Sequence, residues 1–248
     1  MYITTTGLVL RETPYKDSSR ILTVLTPSEG KITVSAKGAK RKGSKTAAAT
    51  QLLAFSEMTL YNSRGRWLLT DARSLELFDG LRDDREKLSL ASYFAEVLEA
   101  VSNEDIADKE LLSLGLNSLF ALSEGQKQPD LIKSVFELRA MCHAGFTPLL
   151  DGCAVCGVTE PQEPVLCITE GVIACAKCAD PRTDKVPLCA GSLAAMRHIV
   201  HADPKKIFSF TLASGAMKRL SRATEEYMKA QLERDFKTLS FYYGIKNT

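Results

Sequence analysis

Several features that would place this chain in a special class are missing from its 248 residues. No apolar run approaches the roughly 18 residues that cross a bilayer, and the opening MYITTTGLVLRETPY lacks a basic leader followed by a long apolar core. An apolar content of 45% with 25% charged residues argues against a disordered or collagen-like chain. We therefore expect a folded cytoplasmic protein that makes no contact with a membrane.

Histidine is scarce as well. The three histidines, His143, His198 and His201, lie outside the cysteine-rich segment described below, and no HxE or DxD pattern accompanies them. A zinc-dependent enzyme acting on nucleic acid needs an open metal position or paired carboxylates with a general base. Such an enzyme is the less favoured alternative, and we expect no catalytic residues.

The net charge of +2 hides a strong asymmetry along the chain. Residues 1–50 carry nine basic and three acidic residues, 81–180 carry eight and 17, and 181–248 carry 12 and six. Such an asymmetry predicts a polyanion as the partner of the basic parts. We expect both basic parts to lie on one DNA-facing side and the acidic middle to face proteins, the alternative being chance variation of a solvated surface.

Four of the seven cysteines form two CxxC pairs. The first pair is Cys153 and Cys156 in CAVCG, and the second is Cys175 and Cys178 in CAKCA. Two pairs separated by about 15–20 residues are typical of a zinc site in which each CxxC turn presents two thiolates to one tetrahedral ion. Disulfides are disfavoured in a reducing cytoplasm, and a redox CxxC would use a single pair. We predict one structural zinc ion per chain, with Cys167 as the substitute ligand.

The N-terminal part of the chain, 1–79, has the pattern of β-structure. Two aromatic residues, Tyr61 and Trp67, flank the last turn, where a ring can stack on a base, although a lone Trp in a small barrel more often fills its core. Five strands of this size predict a small barrel, for which the oligonucleotide-binding OB-fold is the leading candidate. The five runs, which are separated by turn signals, are GLVLRETPY, SRILTVLTP, GKITVSAKG, QLLAFSEMTLYN and RWLLTDARSLELF.

From about residue 80, apolar residues recur every three or four positions, which predicts helices with exposed acidic faces between the apolar stripes. The last helix is predicted from about Ala216 to Tyr243, and its apolar residues change sides midway. This change indicates either a bend or packing against two different units. The predicted fold class is α+β with several domains. They are an OB-fold β-barrel at 1–79, a helical domain at 80–148 and 189–248, and a zinc module at 149–188 within the helical domain.

Two groups of cations are the candidate nucleic-acid contacts. The first lies in AKGAKRKGSK, after the third predicted strand, where small residues let a phosphate chain approach the cations. The second is a stripe along the last helix, for which a merely solvated face is an equally good interpretation. An RNA-binding module on the same barrel stays open as an alternative. The residues are Lys37, Lys40, Arg41, Lys42 and Lys45 in the first group, and Lys218, Arg222 and Lys229 in the second.

Two long stretches of the sequence carry a family resemblance, GLVLRETPYKDSSRILTVLTPSEGKITVSAKGAKRKGS and FELRAMCHAGFTPLLDGCAVCG. The first resembles the opening of the RecO family of bacterial recombination mediators, and the second resembles the helix that leads into that family's first zinc knuckle. A third match is LSFYYG near the C-terminus. The resemblance covers nearly the full length, and this chain keeps all four cysteines that some members have lost.

The resemblance implies a non-enzymatic function in DNA repair and recombination after DNA damage, in a cytoplasmic protein associated with the nucleoid. Members bind single- and double-stranded DNA, anneal complementary strands, engage single-strand binding protein (SSB), and with RecR help RecA replace SSB. The shared motif assigns DNA contact to its basic residues, among them Arg20, for which an ordinary strand-surface charge is an equal alternative. The acidic SSB tail would dock in the helical domain, where Arg139 is one candidate cation. Pairing of Arg139 with a carboxylate such as Glu137 is the favoured alternative.

Overall fold

A computed structural model of the chain describes residues 1–246, and its N-terminal part is a closed β-barrel. The strands pair in the order β1-β2-β3-β5-β4, and the barrel closes because β1 also pairs antiparallel with β4. This is the five-stranded OB-fold predicted from the sequence. The strands are β1 (Tyr2–Tyr15), β2 (Ser19–Thr26), β3 (Gly30–Ala36), β4 (Phe55–Ser63) and β5 (Arg66–Glu76).

The barrel forms because its strands alternate between inward apolar and outward polar residues, as the two-residue period of a strand requires. Leu22 on β2, Val34 on β3 and Leu60 on β4 are completely buried in one core cluster. Trp67 packs against the same cluster while remaining partly exposed, which agrees with the expectation for a lone tryptophan in a small barrel.

A first compact unit contains the barrel, the next three helices and the last helix, and it comprises residues 1–125 together with the chain from Phe236 onward. Asp84 caps the second of these helices by accepting hydrogen bonds from the N–H groups of Glu86 and Lys87 at 2.9 and 3.1 Å. Phe236 packs edge-on against Tyr93 of that helix, with ring centroids 5.6 Å apart. The four helices are α1 (Asp79–Arg82), α2 (Arg85–Val101), α3 (Lys109–Glu124) and, at the end of the chain, α7 (Lys237–Lys246).

A second compact unit spans Gln126–Asp235 and contains three helices and a small three-stranded sheet of order β7-β6-β8. Helix α6 packs on both α4 and α5. No helix within residues 1–246 is long and apolar enough to cross a membrane. The elements are α4 (Pro129–His143), β6 (Pro164–Cys167), β7 (Val172–Cys175), β8 (Lys185–Pro187), α5 (Ala190–His201) and α6 (Ser214–Gln231).

The prediction of one final helix from Ala216 to Tyr243 is wrong. Helix α6 ends at Gln231 and α7 begins at Lys237, and between them Glu233 adopts a φ of +47°, which an α-helix does not accommodate. The two helices also belong to different compact units, with α6 packed on α4 and α5, and α7 packed on α2. This division explains why the apolar residues change sides. The predicted domain boundaries follow changes in secondary structure, whereas the two compact units are defined by contacts between residues. The predicted boundaries therefore stay a prediction.

A buried charge cluster joins α4 to α6. The Lys133 ammonium lies 2.9 Å from a carboxylate oxygen of Glu137 and 2.9 Å from one of Glu225, and the side chains of Lys133 and Glu137 are fully buried. Thr224 donates its hydroxyl hydrogen to the other oxygen of Glu137 at 2.7 Å. Burial raises the pKa of Glu137, and the nearby Lys133 opposes that rise. For Glu137, the expectation of an exposed acidic face is therefore wrong.

Candidate metal centre and nucleic-acid interface

Four cysteine sulfur atoms meet in the second unit. The Sγ atoms of Cys153, Cys156, Cys175 and Cys178 all lie within 4.8 Å of one another, and those of Cys156 and Cys175 are 3.9 Å apart. Thiolates placed about 2.3 Å from one tetrahedral zinc ion would lie about 3.8 Å from each other. The four cysteines are therefore positioned to hold a metal ion. Within residues 1–246, Cys167 is not part of this group.

Backbone hydrogen bonds shape both cysteine turns. The N–H of Gly157 donates to the carbonyl of Cys153 at 2.9 Å, and the N–H of Cys178 donates to that of Cys175 at 2.9 Å. Gly157 closes the first turn with a φ of +75°, a conformation that glycine adopts without steric cost. The N–H of Ala154 donates to the carbonyl of Ile173 on β7 at 2.8 Å. Because β7 ends at Cys175, this bond brings the two cysteine pairs together.

The four sulfur atoms lie beside a small apolar cluster. It contains only small and medium-sized side chains, those of Cys153, Val165, Cys167, Ala174 and Ala179. A module of this size gains too little from apolar burial to offset the entropy of ordering its chain, and metals commonly supply the difference. A metal ion held by the four cysteines would therefore stabilise the fold of this segment.

The thiols in this group differ in acidity. Hydrogen bonds from the backbone N–H groups of Cys156, Cys175 and Val155 lower the pKa of Cys153 to about 6. Burial and the neighbouring sulfur atoms of Cys153 and Cys156 raise the pKa of Cys175 to about 12. The pKa of Cys178 is also raised, chiefly by its hydrogen bond with Cys156. A divalent cation favours the thiolate form of every ligand, so metal binding must release protons.

We expect the affinity of the chain for zinc to rise with pH across the neutral range. Cys175 and Cys178 hold their protons at pH 7, and a lower pH supplies more protons that compete with the metal, including one for Cys153 below its pKa of about 6. Competition with a chelator at pH 6, 7 and 8 measures the effect, which should reach about tenfold per pH unit for each proton released. An affinity that stays constant over this range would show that the ligands are not thiols.

The basic loop, residues 37–45, joins β3 to a 3-10 turn at Ala48–Thr50, so its predicted place after the third strand is confirmed. All five of its cations are exposed. In the described part of the chain, none of them has a carboxylate partner within ion-pair distance. The loop therefore presents uncompensated positive charge beside the barrel, which is what attraction of a polyanion requires.

The basic loop is ordered by its own turns and by the β1–β2 hairpin. The N–H of Lys40 donates to the carbonyl of Ser18 at 3.0 Å, and the N–H of Gly38 donates to the hydroxyl of Ser19 at 3.3 Å. Within the loop, the N–H of Arg41 donates to the carbonyl of Gly38 at 3.0 Å. The cations are thus displayed on a backbone that is already organised, which lowers the entropic cost of binding.

Arg20 lies at the base of the basic loop, and its guanidinium group already has three partners within the chain. Its guanidinium pairs with Glu12 at 3.0 Å and donates to the carbonyl of Ala47 and the hydroxyl of Thr50 at 3.4 and 3.2 Å. Only 16% of its side chain is exposed. Arg20 therefore ties the chain that follows the loop to β1 and β2.

The other predicted cations lie in the second unit, on α6. Lys218 is exposed, whereas Arg222 pairs with Glu226, and Lys229 pairs with Glu225 at 2.9 Å. These pairs join residues four apart on one helix, a common arrangement on solvated helix faces. The α6 stripe therefore carries less uncompensated charge than the basic loop.

Within residues 1–246, Arg139 has no carboxylate partner, so the favoured expectation of such a pair is wrong. Its guanidinium donates to the carbonyl oxygens of Val200 and Ala202, each at 2.9 Å. These carbonyls lie at the C-terminal end of α5, where orphan acceptors and the helix dipole favour a cation. The carboxylate of Glu137 is instead held by Lys133 at 2.9 Å.

A pair of stacked tyrosines on the outside of the barrel was not predicted from the sequence. The rings of Tyr2 and Tyr61 are tilted by 38° with centroids 4.8 Å apart, and Tyr2 is 67% exposed. The two residues are direct partners in the pairing of β1 with β4. Because that pairing arises only when the barrel closes, the neighbours of Tyr2 are not visible in the linear sequence.

Comparison with known families covers nearly the whole chain. Residues 1–78 match the family described as Recombination protein O N terminal, and residues 82–240 match the one described as Recombination protein O C terminal. The chain belongs to the RecO family. One RecO relative, the DNA repair protein RecO of Acetivibrio thermocellus, is 31% identical over 240 residues, which are 97% of this chain and 96% of that protein. The DNA repair protein RecO of Symbiobacterium thermophilum is 29% identical over 248 residues, with 97% and 96% covered.

Membership of the RecO family confirms the resemblance carried by the sequence motifs. The first matched region ends in the segment between β5 and α1, so it contains the barrel and the basic loop. The second contains the four cysteines and the α6 stripe. Both candidate sites thus lie within parts of the chain that are typical of this family of DNA repair proteins.

Proposed function

We propose that this RecO-family chain is a mediator of recombinational DNA repair that binds single- and double-stranded DNA and anneals complementary strands. Together with RecR, it helps RecA load onto DNA coated with SSB. The observation that carries the proposal is the basic loop, with five exposed cations beside an OB-fold barrel. Lys and Arg on such a surface supply affinity for phosphates without reading bases.

Annealing places a further demand on the DNA-binding surface. Two phosphate backbones must approach each other, so cations have to screen their repulsion while the bases stay free to pair. The basic loop contains no aromatic residue that would hold a base away from pairing. Lys37, Lys40, Arg41, Lys42 and Lys45 are the proposed main contacts, Arg20 positions the loop, and Lys218, Arg222 and Lys229 add weaker contacts.

The proposed metal is one structural zinc ion per chain. Four thiolates are a donor set typical of zinc, and they leave no coordination position open for a reacting water. The ion would hold the two cysteine turns against the β6–β7 hairpin. This role agrees with a protein that binds and rearranges DNA without breaking bonds.

Arg139 is the proposed contact for the acidic tail of SSB. Its two hydrogen bonds to the end of α5 use two of the five N–H groups of a guanidinium, so it keeps its charge and further donors. A fixed cation beside the apolar residues of α4 matches a tail that is acidic and ends in apolar residues. This contact would bring the mediator to DNA already covered by SSB.

Replacing Lys40, Arg41 and Lys42 by glutamine is expected to weaken DNA binding by at least about tenfold at low salt, because phosphate contacts dominate the affinity. Log affinity decreases with log salt concentration, and the steepness of this decrease should be reduced by about 0.7 for each phosphate of a single strand that the variant no longer neutralises. Fluorescence anisotropy with labelled strands measures both quantities. The matched control replaces three exposed lysines elsewhere, Lys109, Lys205 and Lys206, by glutamine. Equal losses in the two variants would show that only net charge matters.

The annealing assay tests the proposed function itself. Labelled complementary strands coated with SSB are mixed with the wild type, with the loop variant and with no protein. We expect fast pairing with the wild type, slow pairing with the loop variant, and no cleavage of either strand. A wild type that fails to accelerate pairing, or that cuts a strand, would contradict the proposal.

A further inference from the structure

The outer face of the barrel carries a continuous row of side chains across four strands, which we call the tyrosine row. Tyr2 on β1 pairs with Tyr61 on β4, Tyr61 pairs with Leu68 on β5, and Leu68 pairs with Ser35 on β3. Neighbouring strands lie about 4.8 Å apart, so the row extends over about 14 Å. The row is therefore long enough for more than one planar ligand group.

Strand alternation places the tyrosine row outside the barrel. The next residues along the strands, among them Ile3, Leu60 and Val34, pack in the barrel core. Because successive side chains point to opposite faces, Tyr2, Tyr61, Leu68 and Ser35 face outward. Tyr2 is 67% exposed although its ring packs on that of Tyr61. Tyr61 is half-buried, so the exposed ring of Tyr2 and the accessible part of Tyr61 form the aromatic platform.

Positive charge lies on both sides of the tyrosine row along the strand direction. On one side, beside Tyr61 and Leu68, Arg64 in the β4–β5 turn and Arg66 at the start of β5 are exposed, and in the described part of the chain neither has a carboxylate partner. On the other side, Lys37 of the basic loop follows Ser35 by two positions, about 7 Å along the strand direction. Exposed cations therefore border the row on both of its long sides.

The nearest acidic side chains offset only part of this charge. Asp71 pairs with Thr59, which lies two residues from Tyr61 along β4 and thus one outward row away. Glu57 is farther along the same strand and has a partner of its own, Arg73, at 3.5 Å. An aromatic surface bordered by cations complements a ligand with flat rings and a negative chain, which describes an unpaired nucleic-acid strand better than a protein segment.

We propose that the tyrosine row is a stacking subsite for unpaired bases, beside the basic loop that holds the phosphates. Tyr2 and Tyr61 stack one or two bases, and Arg64 and Arg66 hold the adjoining phosphates. This subsite rests on the proposed DNA binding by the basic loop and adds to it a preference for unpaired strands, since bases inside a duplex have no free face to stack. It leaves most bases of a bound strand available for pairing, because the aromatic platform is only two rings wide.

The test compares a short single-stranded DNA, its duplex and the same sequence as single-stranded RNA. The variant Tyr2→Leu/Tyr61→Leu is expected to bind the single strand about tenfold more weakly or worse, as loss of base stacking does elsewhere, and to bind the duplex within twofold of the wild type. The variant Tyr2→Phe/Tyr61→Phe keeps both rings and should bind as the wild type does. Phe120→Leu, which removes another exposed ring of the first unit, is the matched control and should change nothing.

Salt dependence separates stacking from phosphate contact. The leucine variant should keep the wild-type slope of log affinity against log salt, whereas Arg64→Gln/Arg66→Gln should lower that slope. If the double leucine variant does not fold, Tyr2→Leu alone provides the test, because this side chain is 67% exposed. Equally tight single-strand binding by the leucine variant and the wild type would overturn the subsite while leaving the function of the basic loop intact.

The remaining outcomes are equally decisive. A wild type that binds neither DNA would refute the proposed function itself. A leucine variant that loses duplex and single strand alike, with a lower salt slope, would show that the row holds phosphates and would overturn the stacking proposal. If the leucine variant loses more affinity for single-stranded RNA than for single-stranded DNA, stacking is supported and the unpaired strand is identified as RNA.

Discussion

Replacing Cys153 by serine is expected to remove the metal from the chain and to unfold the cysteine-containing segment of the second unit. Structural zinc contributes about 10–16 kcal/mol of apparent binding free energy in zinc-finger peptides, which is as large as the whole stability of a typical domain. The apolar cluster beside the sulfur atoms contains only small and medium-sized side chains, so it contributes little stability without the metal. Metal content by mass spectrometry should fall from about one ion per chain to nearly none. Amide hydrogen exchange should rise in β6 and β7.

The matched control is Cys189→Ser. Cys189 lies in the same unit but outside the group of four, and it occupies the N-cap position of α5, where serine is a favourable residue. This variant should keep its metal and its exchange protection. A Cys153→Ser chain that still holds a full complement of metal would remove Cys153 from the set of ligands.

Replacing Lys133 by methionine is expected to lower the free energy of unfolding by about 3–5 kcal/mol, because it leaves the carboxylate of Glu137 buried without its cation. Both side chains are fully buried, and the ammonium also lies 2.9 Å from Glu225. Denaturant unfolding of the whole chain, followed by circular dichroism, measures the loss. The double variant Lys133→Met/Glu137→Leu removes both charges and should recover most of the stability, since apolar residues of similar size often replace buried ion pairs without loss.

The loss of stability in Lys133→Met should depend on pH. Burial already raises the pKa of Glu137 in the presence of Lys133, and removal of that cation raises it further. The folded state therefore holds its proton to a higher pH than the unfolded state does. The variant should be most stable below the pKa of the unfolded carboxyl group and should lose stability as the pH rises toward the folded pKa. A stability difference that is the same at pH 5 and pH 8 would contradict this account.

Local patterns explain why the barrel and the metal ligands could be predicted. Five alternating runs separated by turns are enough to indicate a small barrel, and two CxxC pairs at the spacing of a zinc site leave few alternatives for their chemistry. The basic loop could also be predicted, because its cations lie within one short segment of the sequence. In each case the physical constraint acts between residues that are close in the chain.

The features that sequence analysis missed depend on partners that are distant in the chain. Arg139 bonds to carbonyl groups at the far end of α5, and a carbonyl carries no signal of residue type. Tyr2 meets Tyr61 only through barrel closure. Glu137 is buried because α6 covers a face of α4 that looks polar in isolation. The break between α6 and α7 did leave a trace, the change of apolar side, but that trace fits a bend equally well.

The return of the chain to the first unit has a consequence for synthesis on the ribosome. Helix α7 packs on α2, yet the whole stretch from Gln126 to Asp235 is made between them. At about 5–20 residues per second, translation of that stretch takes roughly 5–20 s. Throughout this interval, the surface of α2 that α7 later contacts lacks that partner, although α3 and β1 can already pack on α2. Ribosome pausing within the second unit would prolong this interval, so the codons of residues 126–235 influence how safely the first unit folds.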